Sequence, residues 1–303
     1  MDCLIAYNPY SGKEKFIKHK DYVINRLKEK FARIDVFCSD GEKSITRKIK
    51  EYGSFYKCVI VCGGDGTLNE AINGLMLVPE PVRPILAYLP FGTVNDVGHM
   101  LGLNKNIKKI INDILALNYV NMDVCRLNDK YFTYAAATGK FTSVSYEAKK
   151  SLKKHFGRMA YFLEAFKRLK DKEKIKVQIN VNGKNIEESY YVILALNSKQ
   201  LAGFNLYRRK PIKLNDGIID LTLVKTKRFN FSFINLGMFF LFGDHWKKGI
   251  TSISTNSFKI ISENELAFNV DGELAFNSSV AECVVINKAI KIVVPKKTKK
   301  KYF

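Results

Sequence analysis

Apolar and polar positions in the first third of the chain follow two alternating patterns. Nearly continuous apolar runs occur at residues 3–7, 34–37, 57–62 and 84–89. Between the first two runs, apolar residues such as Val23, Leu27 and Phe31 recur at helical spacing, and residues 43–52 also predict a helix. Buried strands that alternate with amphipathic helices predict a parallel sheet covered on both faces. Such a sheet binds ligands at the carboxyl ends of its strands.

Beyond about residue 120 the pattern becomes that of an antiparallel sheet. Residues 176–181 alternate strictly, and Asn182-Gly183 separates them from a second apolar run at 190–196, which predicts a hairpin. Further strands are predicted at 218–225, 257–262, 266–270 and 290–294. We therefore predict an α/β domain over residues 1–120, followed by an antiparallel β-sandwich domain over residues 121–294.

One helical pattern interrupts the second half, at residues 152–169. Its apolar stripe is flanked by a face rich in lysine and arginine. The stripe favours packing in a core, and the basic face is also compatible with a helix that lies on a membrane surface. The sequence leaves both interpretations open.

Charge narrows the classes of partner. The chain has 50 Lys and Arg residues against 29 Asp and Glu residues, a formal net charge of +21. This excess favours binding to polyanions, either nucleic acid or an anionic membrane, although a surface that is simply rich in solvated lysines would show the same excess.

We expect a cytoplasmic protein, because the sequence shows neither a signal peptide nor an apolar run of about 18 residues. The six cysteines lack zinc spacing and are expected to be free thiols.

Candidate chemistry lies in three turns that follow predicted strands of the first domain. The turn at residues 63–67 has three glycines in four positions, which lets backbone amides approach phosphate oxygens. It is neither a Walker A loop nor a dinucleotide fingerprint. Asp65 would repel phosphate, so we expect it to face Mg²⁺.

The other two turns are weaker signals taken separately. Ser11 and Gly12 suit a helix start beside an anion, as they would suit any strand-to-helix turn. In the third turn, Thr93 and Asn95 could reach phosphate or ribose. Asp96 could cap its helix or touch the reacting hydroxyl group. Because all three turns are expected at one edge of a sheet, together they predict a nucleotide site.

In this order the motifs N-P-x-S-G, G-G-D-G-T-x-N-E and P-x-G-T-x-N-D resemble the diacylglycerol kinase catalytic-domain family, nearest to its soluble bacterial members. The likeness continues at Ser145-Tyr146-Glu147, Asn197-Ser198, Ala202-Gly203-Phe204 and residues 214–217 and 269–273. It implies a nucleotide domain related to NAD kinases and phosphofructokinases, and a β-sandwich that covers an active-site cleft between the domains. It also implies that the tail at 295–303 returns to the first domain.

The resemblance assigns roles to residues of this chain. It places a set of residues at the nucleotide: Asn8, Pro9, Ser11, Gly12, Ser39, Gly63, Gly64, Asp65, Gly66, Thr67, Asn69, Glu70, Thr93 and Asn95. Asp96 would face the substrate, and Asp65 would organise Mg²⁺. A second, structural Mg²⁺ would bind the Asp216 carboxylate with the carbonyl groups of Lys213 and Ile218, although Asp216 is equally suited to forming a turn.

Asp271 and Glu273 have two interpretations. From the pattern alone, Asp271-Gly272 is an ordinary hairpin turn. The resemblance instead implies that this turn supplies the carboxylate that accepts the proton of an attacking hydroxyl group. The sequence does not decide between Asp271 and Glu273, so both remain candidates.

The resemblance implies transfer of the ATP γ-phosphoryl group to the hydroxyl of diacylglycerol, giving phosphatidic acid. Alternatives are the same reaction on another lipid alcohol, such as a sphingoid base, or on a soluble metabolite, and a nucleotide- or nucleic-acid-binding regulator without turnover. We expect a lipid substrate at the anionic inner face of the cell membrane, with the protein peripherally associated, and no specific nucleic acid. A homodimer remains open.

Overall fold

The computed structural model describes residues 1–13, 15–93, 95–103, 106–139, 174–201, 203–225 and 231–303. They form two compact units. Unit 1 consists of Met1–Val124, Lys213–Asp216 and Ile286–Phe303, and unit 2 consists of Cys125–Ile212 and Gly217–Val285. The helix predicted at 152–169, the Ser145-Tyr146-Glu147 motif and Ala202 lie outside the described residues.

The bounds of the regular elements are as follows. The helices are α1 (Lys15–Leu27), α2 (Ser44–Tyr52), α3 (Asp65–Met76), α4 (Asp96–Met100), α5 (Ile107–Leu115), α6 (Phe231–Phe242) and α7 (Lys296–Tyr302). The first strands are β1 (Asp2–Tyr7), β2 (Arg33–Cys38), β3 (Cys58–Gly63), β4 (Ile85–Pro90), β5 (Tyr119–Leu127), β6 (Lys130–Phe132), β7 (Ala135–Gly139) and β8 (Ile175–Val181). The later strands are β9 (Lys184–Leu196), β10 (Gln200–Leu201), β11 (Phe204–Asn205), β12 (Ile219–Lys225), β13 (Ile250–Thr255), β14 (Ser257–Val270) and β15 (Glu273–Val293).

Unit 1 is built on the parallel sheet that the sequence predicts. Strand β1 pairs with β2 on one side and with β3 on the other, and β3 pairs with β4, all in parallel. Every residue of β3 is buried, as its continuous apolar run requires. The register places Tyr7 opposite Cys62, and Cys62 opposite Leu89. The turns after β1, β3 and β4 therefore begin side by side at the carboxyl edge of the sheet.

The chain end belongs to unit 1. Ile292 near the end of β15 pairs in parallel with Leu86 of β4. Beyond it, the Val294 amide donates to the Asn118 carbonyl at 3.0 Å. In α7, Thr298 is only 3% exposed. The last residues are thus packed and bonded within this unit.

Unit 2 has the antiparallel pairing that the sequence predicts. The hairpin of β8 and β9 turns at Asn182 and Gly183, whose φ angles of 50° and 72° are those of a type I′ turn. Strand β9 also pairs with β7 and β12, β12 pairs with β13, and β14 pairs with β7, β8 and β15. Phe132, Ile179, Leu221 and Ala281 are among the buried residues of its core.

Two predicted boundaries were wrong. The runs at 257–262 and 266–270 are one strand, β14, and the run at 290–294 is the end of the 21-residue β15. The β14 pairing shifts register between Ile261 and Leu266. The polar residues at this irregularity have the composition of a turn, which is why the sequence suggested a break.

Candidate active site

The amino terminus of α3 lacks a side-chain cap. Strand β3 ends at Gly63, and Gly64 stands at the N-cap position with extended angles (φ −95°, ψ −171°) and no capping hydrogen bond. The amides of Gly66 and Thr67 donate to no residue that the structure describes. Free amides at a helix start, together with the positive end of the helix dipole, form a ready site for an anion.

The two neighbouring turns close around this helix start. The Gly64 amide donates to Ser11 Oγ at 3.2 Å, and the amides of Phe91 and Gly92 donate to the Gly63 carbonyl at 2.8 and 3.0 Å. A Cβ atom at Gly92 would lie 2.4 Å from Gly64 Cα, and one at Gly12 would lie 1.6 Å from the Phe91 carbonyl oxygen. The turns can therefore approach this closely only because glycine occupies both positions.

The first turn is held by Asn8. Its amide donates to the Cys62 carbonyl at 3.2 Å, its carbonyl accepts from the Ser11 amide at 3.2 Å, and its Oδ1 accepts from the Tyr10 amide at 2.9 Å. Asn8 thus shapes the turn that presents Ser11. Pro9 lies within this turn and Tyr10 is 85% exposed.

Asn95 braces the third turn from inside. It adopts a left-handed conformation (φ 54°), is 7% exposed, and donates through Nδ2 to the Gly92 carbonyl at 2.7 Å. Tyr88 Oη donates to Asn95 Oδ1 and lies within hydrogen-bond distance of the Gly63 carbonyl, each at 3.2 Å. Motif reasoning missed Tyr88, whose only sequence signal is a phenol within a buried strand. Thr93, by contrast, is exposed.

Asp65, the first residue of α3, is tied to the start of α4. Its Oδ1 accepts from the Val97 amide at 3.2 Å, and the Asn95 and Asp96 amides also bond to the carboxylate. Burial raises the pKa of the Asp65 carboxyl, and these amide bonds offset only part of that effect. The carboxylate thus has a structural function at α4, and its contact with Mg²⁺ remains a prediction. Asp96 is half-buried at the first position of α4.

Other residues expected at the nucleotide contact neighbouring helices. Ser39 Oγ lies 2.8 Å from Ser44 Oγ, at the start of α2. Asn69 Oδ1 accepts from Asn73 Nδ2 at 3.0 Å within α3. Glu70 Oε2 accepts from the Ile45 amide of α2 at 3.3 Å. The Glu70 bond therefore joins α2 to α3, whereas the Asn69 bond lies within α3.

In unit 2, Asp271 forms the turn between β14 and β15. Asp271 and Gly272 have φ angles of 48° and 92°, so the two-residue hairpin turn expected from the pattern is present. The Asp271 carboxylate accepts from the amides of Tyr134 and Ala135 at 3.1 and 3.0 Å, while its own amide donates to the Ala135 carbonyl at 2.8 Å. Its orientation is therefore fixed.

Glu273 differs from Asp271 in its surroundings. Its side chain is exposed, and no residue that the structure describes bonds to its carboxylate. The two candidate carboxylates thus divide into one that is anchored by backbone amides and one that is free to move. Sequence reasoning could not find this difference, because no motif marks the Tyr134 and Ala135 amides.

The loop expected to bind a structural metal offers main-chain oxygen atoms. The Leu214 carbonyl accepts from the Asp123 amide at 2.8 Å, and the Asn215 carbonyl accepts from Asn287 Nδ2 at 3.3 Å. The Lys213 carbonyl accepts from no residue in the described part of the chain. Within that part, no group of three or more His, Cys, Asp or Glu residues could hold a metal. The Lys213 carbonyl, three residues before Asp216, is the type of hard oxygen ligand that suits a cation such as Mg²⁺.

Comparisons with known proteins identify the family. Residues 2–127 match the diacylglycerol kinase catalytic domain. The chain is 30% identical over 302 residues to the diacylglycerol kinase of Staphylococcus carnosus (strain TM300), covering 97% of this chain and 95% of the relative. It is 32% identical over 281 residues to that of Staphylococcus saprophyticus, covering 89% and 88%. A crystal structure of a diacylglycerol kinase from Bacillus anthracis strain Sterne has a TM-score of 0.81 at 23% identity, over 98% of both chains.

The match to lipid kinases therefore extends over nearly the whole chain. The chain belongs to the diacylglycerol kinase family, and the resemblance carried by its three turn motifs is confirmed. The structural likeness shows in addition that the fold is that of a bacterial family member.

Proposed function

We propose that this chain transfers the γ-phosphoryl group of ATP to the hydroxyl group of diacylglycerol, giving phosphatidic acid. The observation that carries the proposal is the uncapped start of α3, where the Gly66 and Thr67 amides are available to a phosphate group. The curated relatives named diacylglycerol kinase support the choice of acceptor.

Each part of the reaction has candidate residues. The backbone of the turn at 63–67, with Ser11 and Thr93, holds the nucleotide phosphates, and Ser39 lies toward the adenosine. Bound Mg²⁺ would neutralise phosphate charge, with Asp65 orienting it or its water ligands. Asp271 or Glu273 accepts the proton of the attacking hydroxyl group, which Asp96 helps to place. The Asp216 carboxylate, with the carbonyl groups of Lys213 and Ile218, would hold a second Mg²⁺ in a structural role.

The net charge of +21 supports peripheral attachment to an anionic membrane, the source of the lipid. No helix among the described residues is long and apolar enough to cross a membrane. Transfer to diacylglycerol in anionic vesicles should therefore fall when salt is raised, because exposed charge interactions are screened. A rate indifferent to salt and to the lipid charge would contradict attachment by charge.

The Gly64→Asp variant tests the phosphate site directly. The N-cap angles at Gly64 suit aspartate, and a Cβ atom there would meet its nearest neighbour, Gly92 Cα, at 3.4 Å, an ordinary contact. The new carboxylate would accept the amides of α3 and repel phosphate. We expect ATP affinity, measured by calorimetry, to fall more than about tenfold with unfolding stability kept.

Gly41→Asp is the matched control, since a Cβ atom at Gly41 meets nothing within 4 Å. Unchanged ATP affinity in Gly64→Asp would overturn the phosphate site.

The acceptor is tested separately, by offering the wild-type protein labelled ATP with diacylglycerol, a sphingoid base and glycerol. Label appearing only on an acceptor other than diacylglycerol would contradict the proposed substrate.

A further inference from the structure

Helix α6 of unit 2 is apolar on all sides. Its twelve residues, F-S-F-I-N-L-G-M-F-F-L-F, contain no charge. One face packs inward: Leu236, Phe239 and Phe240 are at most 3% exposed, and the Phe240 ring meets Phe204 edge-on at 5.5 Å between centroids. Trp246 Nε1 also donates to Asn235 Oδ1, at 3.3 Å. This face anchors the helix to the rest of the unit.

The opposite face of α6 is exposed. Ile234, Leu241 and Phe242 are 49%, 56% and 46% exposed. Their spacing of seven and eight residues places them on one side of the helix, with half-buried Met238 between them. A helix that is apolar all round is normally covered on every side, so this face calls for a partner.

Four basic residues lie near the last turn of α6, in the two segments that contact or follow it. Arg208, Arg209, Lys247 and Lys248 are all exposed. Arg208 Nη2 donates to the Leu241 carbonyl at 2.6 Å, which places the arginine at the last turn of the helix. This contact places Arg208 beside the apolar residues, and Lys247 and Lys248 follow the helix closely along the chain.

Asp244 fixes the arginine segment. Its Oδ1 accepts from the Arg208 amide at 2.9 Å, and its Oδ2 accepts from the Arg209 and Lys210 amides, each at 3.0 Å. Three backbone amides thus hold the Asp244 carboxylate, and these charge-assisted bonds fix the backbone from Arg208 to Lys210 next to the end of α6.

We propose that this face, defined as Ile234, Leu241 and Phe242 with the flanking Arg208, Arg209, Lys247 and Lys248, docks onto an anionic phospholipid bilayer. Exposed apolar side chains with cations nearby combine the two attractions of interfacial helices, namely insertion of apolar groups and attraction to anionic lipid. Twelve residues span about 18 Å, too short to cross a hydrocarbon core of about 30 Å. The helix therefore lies at the interface.

The inference deepens the proposed function, because a docked enzyme reaches an acceptor that resides in the membrane. Docking is nevertheless measured without catalysis, by flotation with vesicles of equal parts phosphatidylcholine and phosphatidylglycerol. We expect Leu241→Ser/Phe242→Ser to lower vesicle partitioning by at least about tenfold, since two apolar side chains lose their insertion. Lys247→Glu/Lys248→Glu should lower vesicle partitioning by a similar factor. Wild-type partitioning should also be lower with vesicles of pure phosphatidylcholine than with the anionic vesicles.

Matched controls come from unit 1. Phe55→Ser/Leu77→Ser removes apolar side chains that are 71% and 48% exposed, and Lys28→Glu/Lys50→Glu reverses two exposed lysines. Both controls should float like the wild type. The docking face would be overturned if controls and test variants lost vesicle partitioning equally. It would also be overturned if both test variants partitioned like the wild type.

A second copy of the chain is the competing occupant. If Leu241→Ser/Phe242→Ser converts a dimer to a monomer in light scattering while vesicle binding persists, the proposal is overturned. Transfer to a dispersed short-chain diacylglycerol separates docking from chemistry, and the docking variants should retain it. If the wild type transfers phosphate to no diacylglycerol, the proposed function fails, while flotation still decides the docking face.

Discussion

Two carboxylates, two residues apart, show how a side chain's surroundings define its role. The Asp271 carboxylate accepts from the Tyr134 and Ala135 amides, so its charge and orientation are supported by the backbone. The Glu273 side chain is exposed, and its carboxylate bonds to no residue that the structure describes. A substitution at Asp271 therefore alters the turn as well as the proposed proton transfer, whereas one at Glu273 tests the proposed proton transfer alone.

We expect Asp271→Asn to lower the free energy of unfolding by about 1.5–3 kcal/mol, because an amide replaces a charged acceptor. Glu273→Gln should change it by less than about 0.5 kcal/mol, as for other exposed sites. Urea denaturation measures both. Any loss of phosphoryl transfer in Glu273→Gln is then chemical in origin. Equal stability of the two variants would contradict the anchoring of Asp271.

Gly92 supports a prediction about packing. Its missing Cβ atom would lie 2.4 Å from Gly64 Cα and 2.5 Å from Asn95 Oδ1. Gly92→Ala must therefore separate two turns of the proposed phosphate site. We expect it to lower the free energy of unfolding by about 1–3 kcal/mol and the ATP affinity by more than about tenfold. Calorimetry with Gly41→Ala as control measures the effect, and an affinity equal to that of the control would show that the turns need not touch.

Among the elements, α3 and α4 are joined through one side chain. Asp65 begins α3 and accepts amides at the start of α4, so the second and third turns of the site are held together. Asparagine in its place keeps an acceptor oxygen without the buried charge. Alanine removes the acceptor.

We expect Asp65→Ala to lower the free energy of unfolding by about 1 kcal/mol, as when a helix cap is removed. Asp65→Asn should lower it by less, because the amide oxygen can still accept the bonds. Because burial raises the pKa of Asp65 above its ordinary value of 3.8, the native state holds its proton more tightly than the unfolded state. Wild-type stability should therefore fall relative to Asp65→Asn as pH rises from 3.8 through the raised pKa. Urea titrations at several pH values check this, and a pH-independent difference would contradict it.

These elements also show how far the sequence can be interpreted. Continuous apolar runs predicted the parallel strands, because burial on both faces leaves a direct trace in the sequence. The merging of two predicted strands into β14 was missed, because a register shift is set by pairing with β15 and resembles a turn locally. The glycines of the site were evident, whereas the bonds of Asp65 and Asp271 depend on amides of distant segments whose residue types are unspecific.

At the scale of the whole molecule, unit 1 is assembled from three separate stretches of chain. The Leu214 amide donates to the Tyr302 carbonyl at 2.9 Å, and Lys213 Nζ donates to the Phe303 carbonyl oxygen at 3.0 Å. The terminal helix α7 thus bonds to the loop expected to hold a structural metal. A unit closed by its own chain end should depend on that end for stability.

Removal of residues 296–303 should therefore loosen unit 1. We expect the free energy of unfolding to fall by about 1–2 kcal/mol, because the deletion removes the acceptor of the Leu214 amide and the buried Thr298 side chain. Faster amide hydrogen exchange should appear at residues 213–216 and around Gly102, whose missing Cβ atom would lie 2.5 Å from Thr298 Oγ1. The control Lys299→Gln/Lys300→Gln/Lys301→Gln removes exposed charge and keeps the helix. If the control loses as much protection as the deletion, charge rather than packing of the tail maintains the unit.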